Sequence, residues 1–201
     1  MRSFTSILVP LATAALTAAV AVGVTPGVAG AVPSSASTAK GTVTCFVTGT
    51  LTAAPALTLG SGQATTLKLQ ATLQGCTGSS AAAKVTGGTL TGKSVDTSAS
   101  CVGFENAFPP LTGKATYKTA SGHLAPTALR FNGGTLGITA TPLAVTYPKT
   151  GGSGTAKGSF ATKNPKLILN MPVTYQQWVA GCQSPSGLAT MSITSDSSLT
   201  A

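Results

Sequence analysis

The stretch Leu67–Gln74, with the sequence LKLQATLQ, decides the fold class because its apolar and polar residues alternate one by one. Successive side chains of a β-strand point to opposite faces, so this stretch predicts a strand with one apolar and one polar face. A helix would instead need apolar residues at recurring spacings of three and four. Upstream, Val43, Cys45 and Val47 follow the same two-residue period and predict a second strand.

Weaker alternation recurs along the rest of the chain, between turn signals such as Gly87-Gly88 and Gly151-Gly152. No convincing amphipathic helix is present, although Tyr175–Ala180 is long enough for one helical turn. Many short strands with turns between them predict an all-β fold, either an antiparallel β-sandwich or a closed β-barrel of about nine or ten strands. Within the run Leu167–Tyr175, Pro172 predicts an edge strand or a bulge, because proline has no backbone N–H.

The N-terminus has the pattern of a secretory signal peptide. Arg2 precedes a long apolar run from Ile7 to Val24, and Ala29-Gly30-Ala31 supplies the small residues of a cleavage site. An uncleaved membrane anchor is the alternative, since the run approaches bilayer-spanning length. We predict a signal peptide over 1–31, a flexible leader over 32–40 and a single all-β domain over 41–201, with no transmembrane segment after cleavage.

The mature part contains an even number of cysteines, which in an exported chain predicts two disulfides: Cys45, Cys76, Cys101 and Cys182. Three pairings are possible, and the spacing alone does not choose among them. We prefer Cys76–Cys101 as a local clip, with Cys45–Cys182 joining the ends of the domain. The absence of a C-x-x-C motif and of any His near a cysteine argues against a metal site, and no cofactor is predicted.

Few residues are available for catalysis after the signal peptide, namely Asp96, Glu105, Asp196 and His123. Glycoside hydrolysis usually needs two carboxylates a few ångströms apart, and a bend between Asp96 and Glu105 would bring that pair together. The simpler interpretation is that both are solvated loop residues. His123 has no visible orienting partner for general-base work. We therefore predict no catalytic residue and no enzymatic activity.

The net charge is the strongest remaining signal. Without Arg2, 11 of the 12 Lys and Arg residues stand against 3 acids, a net charge of +8. These cations are spread along the chain, which favours a role in solubility and in blocking edge pairing. The second interpretation is association with an anionic cell-wall polymer or another extracellular polyanion. Nucleic acid is not a predicted partner, because Arg130 is the only Arg left and aromatic residues are few.

Two segments contain aromatic residues that qualify as a ligand or partner patch. Trp178, the only Trp, follows Gln176 and Gln177, and it either lies on the surface beside these amides or packs in the core. Phe104 and Phe108 lie in a segment that ends in two prolines. They form either an exposed apolar lip or a plug over one end of the sheet.

Three functions remain open from the sequence. The first is a secreted, non-enzymatic β-domain that binds a partner at the cell surface or cell wall. The alternative is a carrier of a small hydrophobic ligand in a cleft or barrel mouth, which would need an apolar pocket of a few hundred Å³. A secreted hydrolase is the third, and it ranks last because titratable groups are so few.

Overall fold

The computed structural model of the chain describes residues 36–60, 62–139 and 142–201. These residues form eleven strands, two short helices and one 3₁₀ turn at Ala82–Lys84. The strands are β1 (Val43–Leu57), β2 (Gln63–Gly78), β3 (Val85–Ala99), β4 (Leu111–Thr119), β5 (Gly122–His123), β6 (Thr127–Phe131), β7 (Thr135–Gly137), β8 (Leu143–Tyr147), β9 (Gly154–Lys157), β10 (Lys166–Met171) and β11 (Leu188–Thr200). The helices are α1 (Cys101–Asn106) and α2 (Tyr175–Gln183).

All eleven strands belong to one antiparallel sheet that curls into a half-barrel. The strand order is β7-β8-β10-β11-β1-β2-β3-β4-β6-β9, and the two-residue β5 pairs with β4 beside this path. The predicted all-β, antiparallel class with two disulfides is confirmed. The count exceeds the expected nine or ten, in part because the two-residue β5 is too short to show alternation in the sequence.

The alternation in Leu67–Gln74 has the predicted effect on burial. Leu67, Leu69 and Leu73 are each 1% exposed, whereas Lys68 and Gln70 face solvent. One side of each long strand thus supplies the core, and the other side stays in water. This burial fixes which residues of every strand point outward, and so positions the surface described below.

The core contains an aromatic cluster made of Phe104 from α1, Phe108 just after α1, Trp178 from α2 and Tyr147 from β8. The Phe104 and Phe108 ring centroids are 4.7 Å apart, and Phe108 lies 6.4 Å from Trp178 and 6.5 Å from Tyr147. Phe104, Phe108 and Trp178 are each at most 1% exposed. Burial of both rings excludes the exposed apolar lip, one of the two alternatives for the phenylalanine segment.

The disulfides are Cys45–Cys76 and Cys101–Cys182, so the preferred pairing was wrong. The local Cys76–Cys101 clip fails because Cys76 lies near the β2–β3 turn while Cys101 follows the far end of β3. The 15 residues of β3 separate these positions by roughly 50 Å of extended chain. Cys45 instead meets Cys76 at an irregularity in the β1–β2 pairing, and the second disulfide joins α1 to α2.

Both helices start with a side-chain cap. The Ser100 hydroxyl accepts a hydrogen bond from the Gly103 N–H, and Thr174 and Gln177 form a reciprocal capping box at α2. The expected strand through Pro172 was wrong in its extent, because β10 ends at Met171 and α2 begins three residues after the proline. β10 also lies inside the sheet rather than at its edge.

The end of the predicted leader is docked on the domain. Ser37 bridges Leu124, and Ala39 donates its N–H to the Ser159 hydroxyl and accepts from the Phe160 N–H. Residues 37–39 thus make backbone contacts with the domain, and the flexible leader over 32–40 stays a prediction. The predicted signal peptide and residues 32–35 lie outside the described residues. No helix in the described part of the chain has both the length and the apolar character needed to cross a membrane.

Candidate functional site

Five basic side chains from five different strands come together on the outer side of the sheet. Antiparallel register aligns them in two neighbouring cross-strand rows. One row consists of Thr52, Lys68, Lys93, Thr112, Arg130 and Thr155. The other consists of Thr50, Gln70, Thr91, Lys114, Ala128 and Lys157. We call the five cations of these rows (Lys68, Lys93, Lys114, Arg130 and Lys157) the basic face.

The cations of the basic face are close neighbours in space. All five are exposed, and Lys68 lies directly opposite Lys93 in the β2–β3 ladder. Residues so placed have Cβ atoms about 4.5–5.5 Å apart. Lys114 lies diagonally from Lys93 on β4, a relation that corresponds to about 7–8 Å. Three positive charges thus share a small area of surface, which produces a strong local positive potential.

No carboxylate interrupts either row. Asp96 is the acid nearest in sequence, three positions beyond Lys93, and its side chain accepts a hydrogen bond from the Ser98 N–H at 2.9 Å. Like charges directly opposite each other in a sheet are destabilising. Because the two rows contain no acid, the repulsion between Lys68 and Lys93 is not offset by a neighbouring carboxylate in those rows. Such a pattern suits a surface that binds an anion.

A shallow groove of about 450 Å³ runs over the centre of the basic face. Three lysines and three polar neighbours provide its outward side chains: Lys68, Lys93, Lys114, Gln70, Thr91 and Thr112. The groove is open to solvent and lies over a sheet surface, so an extended ligand can lie along it. Lys ammonium groups and Thr hydroxyls are both hydrogen-bond donors to oxyanions.

A third row, of threonines, borders the basic face. The row consists of cross-strand partners on four neighbouring strands: Thr48 on β1, Thr72 on β2, Thr89 on β3 and Thr116 on β4. The Thr48 and Thr72 hydroxyls are 3.0 Å apart, and those of Thr89 and Thr116 are 2.6 Å apart. Because threonine side chains are uncharged, this border carries no charge, and the positive charge is confined to the two rows of the basic face.

The predicted aromatic patch is divided by the structure. Trp178, Phe104 and Phe108 are buried and form part of the core, so their rings are not an exposed platform. Gln176 and Gln177 are exposed on α2. The Gln177 side-chain oxygen accepts from the Thr174 N–H at 2.8 Å, which commits it to the helix cap.

The residues considered for catalysis each make local contacts instead of forming one site. Glu105 accepts a hydrogen bond from the Tyr175 hydroxyl at 2.7 Å, and this bond raises the pKa of Tyr175 above its ordinary value. The Asp196 carboxylate accepts from the Thr194 hydroxyl. His123 is exposed on β5, opposite Lys118. The described residues contain no group of three or more His, Cys, Asp and Glu side chains able to hold a metal ion.

Comparisons with known proteins give no family for the chain. No protein-family model, curated protein or solved structure matches it. The function must therefore be argued from the basic face and its surroundings.

Proposed function

We propose that this chain is a secreted, non-enzymatic β-domain that binds a linear extracellular polyanion, such as an anionic cell-wall polymer, on its basic face. The observation that carries the proposal is the alignment of Lys68, Lys93 and Lys114 around one open groove with no acid in either row. Two disulfides suit an oxidising environment outside the cytosol, in agreement with secretion.

The dimensions of the face favour a chain over a compact anion. From β2 to β9 the rows cross five strands, and the four spacings between these strands, at about 4.8 Å each, give a length of roughly 19 Å. A single phosphate or sulfate would contact only one or two of these cations. A polymer with repeated anionic groups can contact all five and release its counterions along the whole length.

The chemistry of the cations also favours a repetitive polymer. Four of the five are Lys, whose ammonium group is a flexible point charge, and only Arg130 offers the planar fork that reads a fixed geometry. Such a surface recognises charge density and spacing more than the detailed structure of each unit. Binding should therefore weaken steeply with salt, as expected for counterion release.

The test compares two triple variants with the same net charge. The first, Lys68→Gln/Lys93→Gln/Lys114→Gln, removes the centre of the basic face. The second, Lys84→Gln/Lys149→Gln/Lys166→Gln, removes three exposed lysines elsewhere. Binding of long-chain inorganic polyphosphate is measured by calorimetry over a range of salt, with neutral dextran as the control ligand.

We expect the first variant to lose binding and the slope of log K against log salt to fall by about 3, roughly 1 per lysine. The second variant should retain most of the affinity and slope. Equal losses in both variants would mean that net charge alone attracts the polymer, and the basic face would have no special role. Binding to phosphatidylglycerol vesicles without binding to polyphosphate would assign the face to a lipid surface and overturn the proposal.

A further inference from the structure

Phe46 of β1 is the only aromatic residue classed as exposed in the described part of the chain, with 55% of its surface open to solvent. It alternates with the buried Cys45 and Val47, so it lies on the outer side of the sheet, the side that carries the basic face. Single exposed apolar residues are common on protein surfaces and need no explanation by themselves. The surroundings of Phe46, however, hold its ring in a defined place.

A β-bulge positions the Phe46 ring. Gly75 and Cys76 of β2 together face the single Cys45 of β1, and Gly75 has a φ of +54°, which is the arrangement of a bulge that begins with glycine. The ring lies over Gly75, where an added Cβ atom would come within 2.8 Å of the ring carbon Cδ2. The Cys45–Cys76 disulfide crosses the bulge beside it. The ring therefore rests against the backbone of β2 and still presents a large surface to solvent.

Hydrogen-bonding groups surround this ring. Gln74 lies directly opposite Phe46 on β2, and Ser198 lies directly opposite it on β11. The exposed Asp196 comes two positions before Ser198. An amide, a hydroxyl and a carboxylate can all form hydrogen bonds with the hydroxyl groups of a sugar, whereas the carboxylate repels an anion placed on the ring. The position thus suits the uncharged part of a sugar unit better than a phosphate.

Phe46 also lies within reach of a polymer bound on the basic face. It is four residues from Thr50, the first residue of the second row, which corresponds to about 14 Å of extended strand. The outward residues of β1 and β2 between them are uncharged threonines and glutamines. Over this distance a polyphosphate offers only anionic groups, whereas a polysaccharide offers hydroxyl groups and apolar ring faces as well.

We infer that the polyanion of the proposed function is an anionic polysaccharide, one sugar ring of which stacks on Phe46 while its anionic groups contact the lysines of the basic face. This inference rests on the proposed function, since it assigns the chemical class of that ligand. The C–H groups on one face of the sugar pack against the aromatic ring, and the sugar hydroxyls bind the polar neighbours. Because the ring is already held over Gly75, little side-chain freedom is lost on binding.

Two polymers separate sugar recognition from charge attraction. Sodium polygalacturonate carries a carboxylate on every sugar ring, and long-chain polyphosphate is the polyanion without sugar rings. Phe46→Ala should lower the affinity for polygalacturonate about fivefold, because one aromatic contact is lost. The slope of log K against log salt should stay the same, because no cation is removed, and the affinity for polyphosphate should not change. Phe46→Trp keeps an aromatic ring and should bind polygalacturonate at least as tightly as the unaltered protein.

Val95→Ala is the matched control, because Val95 is 56% exposed on the same side of the sheet, two residues from Lys93. It should retain its affinity for both polymers. Phe46→Leu keeps an apolar side chain over Gly75, should show the same loss as Phe46→Ala, and takes its place if Phe46→Ala does not fold.

The outcomes distinguish this inference from the proposed function. Undiminished binding of polygalacturonate by Phe46→Ala, an equal loss in Val95→Ala, or a loss that extends to polyphosphate would overturn the inference alone. Binding of polyphosphate without binding of polygalacturonate would do the same. If neither polymer bound the unaltered protein, the proposed function itself would fail.

Discussion

Reversing the charge of Lys93 should make the protein more stable and at the same time a weaker polyanion binder. Lys93 lies directly opposite Lys68 and diagonally from Lys114, so it takes part in the closest repulsive contacts of the basic face. Lys93→Glu replaces a like-charge cross-strand pair by an opposite-charge pair. An opposite-charge pair contributes roughly 0.2–1 kcal/mol, and the like-charge repulsion is lost as well, so the substitution should stabilise the fold by about 1 kcal/mol.

The same substitution should weaken polyphosphate binding at least about tenfold at low salt. One favourable ammonium–anion contact is lost, which lowers the salt slope by about 1, and the new carboxylate repels the polymer at the centre of the groove. A surface whose lysines served only for solubility would show no such loss. Stability and binding should therefore move in opposite directions at this one position.

Urea unfolding followed by Trp178 emission gives the stability, and calorimetry with polyphosphate gives the affinity. Lys84→Glu is the control for the same change in net charge, because Lys84 lies nine residues from Lys93 along the β3 path, roughly 30 Å when extended and well beyond the screening length. Lys84→Glu should alter affinity far less than Lys93→Glu. If Lys93→Glu destabilised the fold, or if both variants bound equally, the reasoning from cross-strand register would be refuted.

Three further results are expected. Replacing both cysteines of Cys101–Cys182, which are 81 residues apart, should lower the free energy of unfolding by about 4.5 kcal/mol in the chain-entropy model, as read from urea midpoints. Burial raises the pKa of Tyr117 to about 12, so between pH 10 and 12 this hydroxyl ionises in the unfolded chain but stays protonated in the folded chain. The free energy of unfolding should therefore decrease as pH rises, and at pH 11 it should be about 1.4 kcal/mol lower than below pH 10. Tyr117→Phe should show a smaller loss over the same pH range in parallel urea titrations. Thr174→Ala should cost about 1 kcal/mol by removing the α2 capping box, measured by thermal unfolding, and an unchanged midpoint would contradict the assigned cap.

The sequence was sufficient to predict the all-β class and the first two long strands, but not which strands are partners. Alternation in Leu67–Gln74 predicted both the strand and its buried face, because burial follows directly from the two-residue period. The disulfide pairing depended on the length of β3, which separates Cys76 from Cys101. Alternation defines the length of this strand poorly, because many of its residues are glycine or threonine, which are neither clearly apolar nor clearly polar. Helix α1 escaped prediction because its six residues are too few to show a helical period.

The basic face illustrates the same limit more strongly. In the sequence Lys68, Lys93 and Lys114 are separated by more than twenty residues each, and nothing marks them as a cluster. Their proximity is a property of register alone. Pairing the outward residues of β2 with those of β3 around the Ala82–Lys84 turn would have shown that Lys68 and Lys93 are neighbours. The position of that turn, however, could not be read from the sequence.

Hydrophobic burial by itself does not explain why these charges coincide. The two-residue period obliges Lys68 and Lys93 to point outward, and a shift of two residues in the β2–β3 register would keep the same faces of the strands inward. Such a shift would place Lys68 opposite Thr91 or Val95 and would remove the repulsive pair. The two-residue period therefore does not by itself decide the alignment of charges, and the structure adopts one that is electrostatically unfavourable in isolation. An anionic partner bound on the outer face would account for that alignment, because each anionic group would attract several lysines at once and offset the repulsion among them.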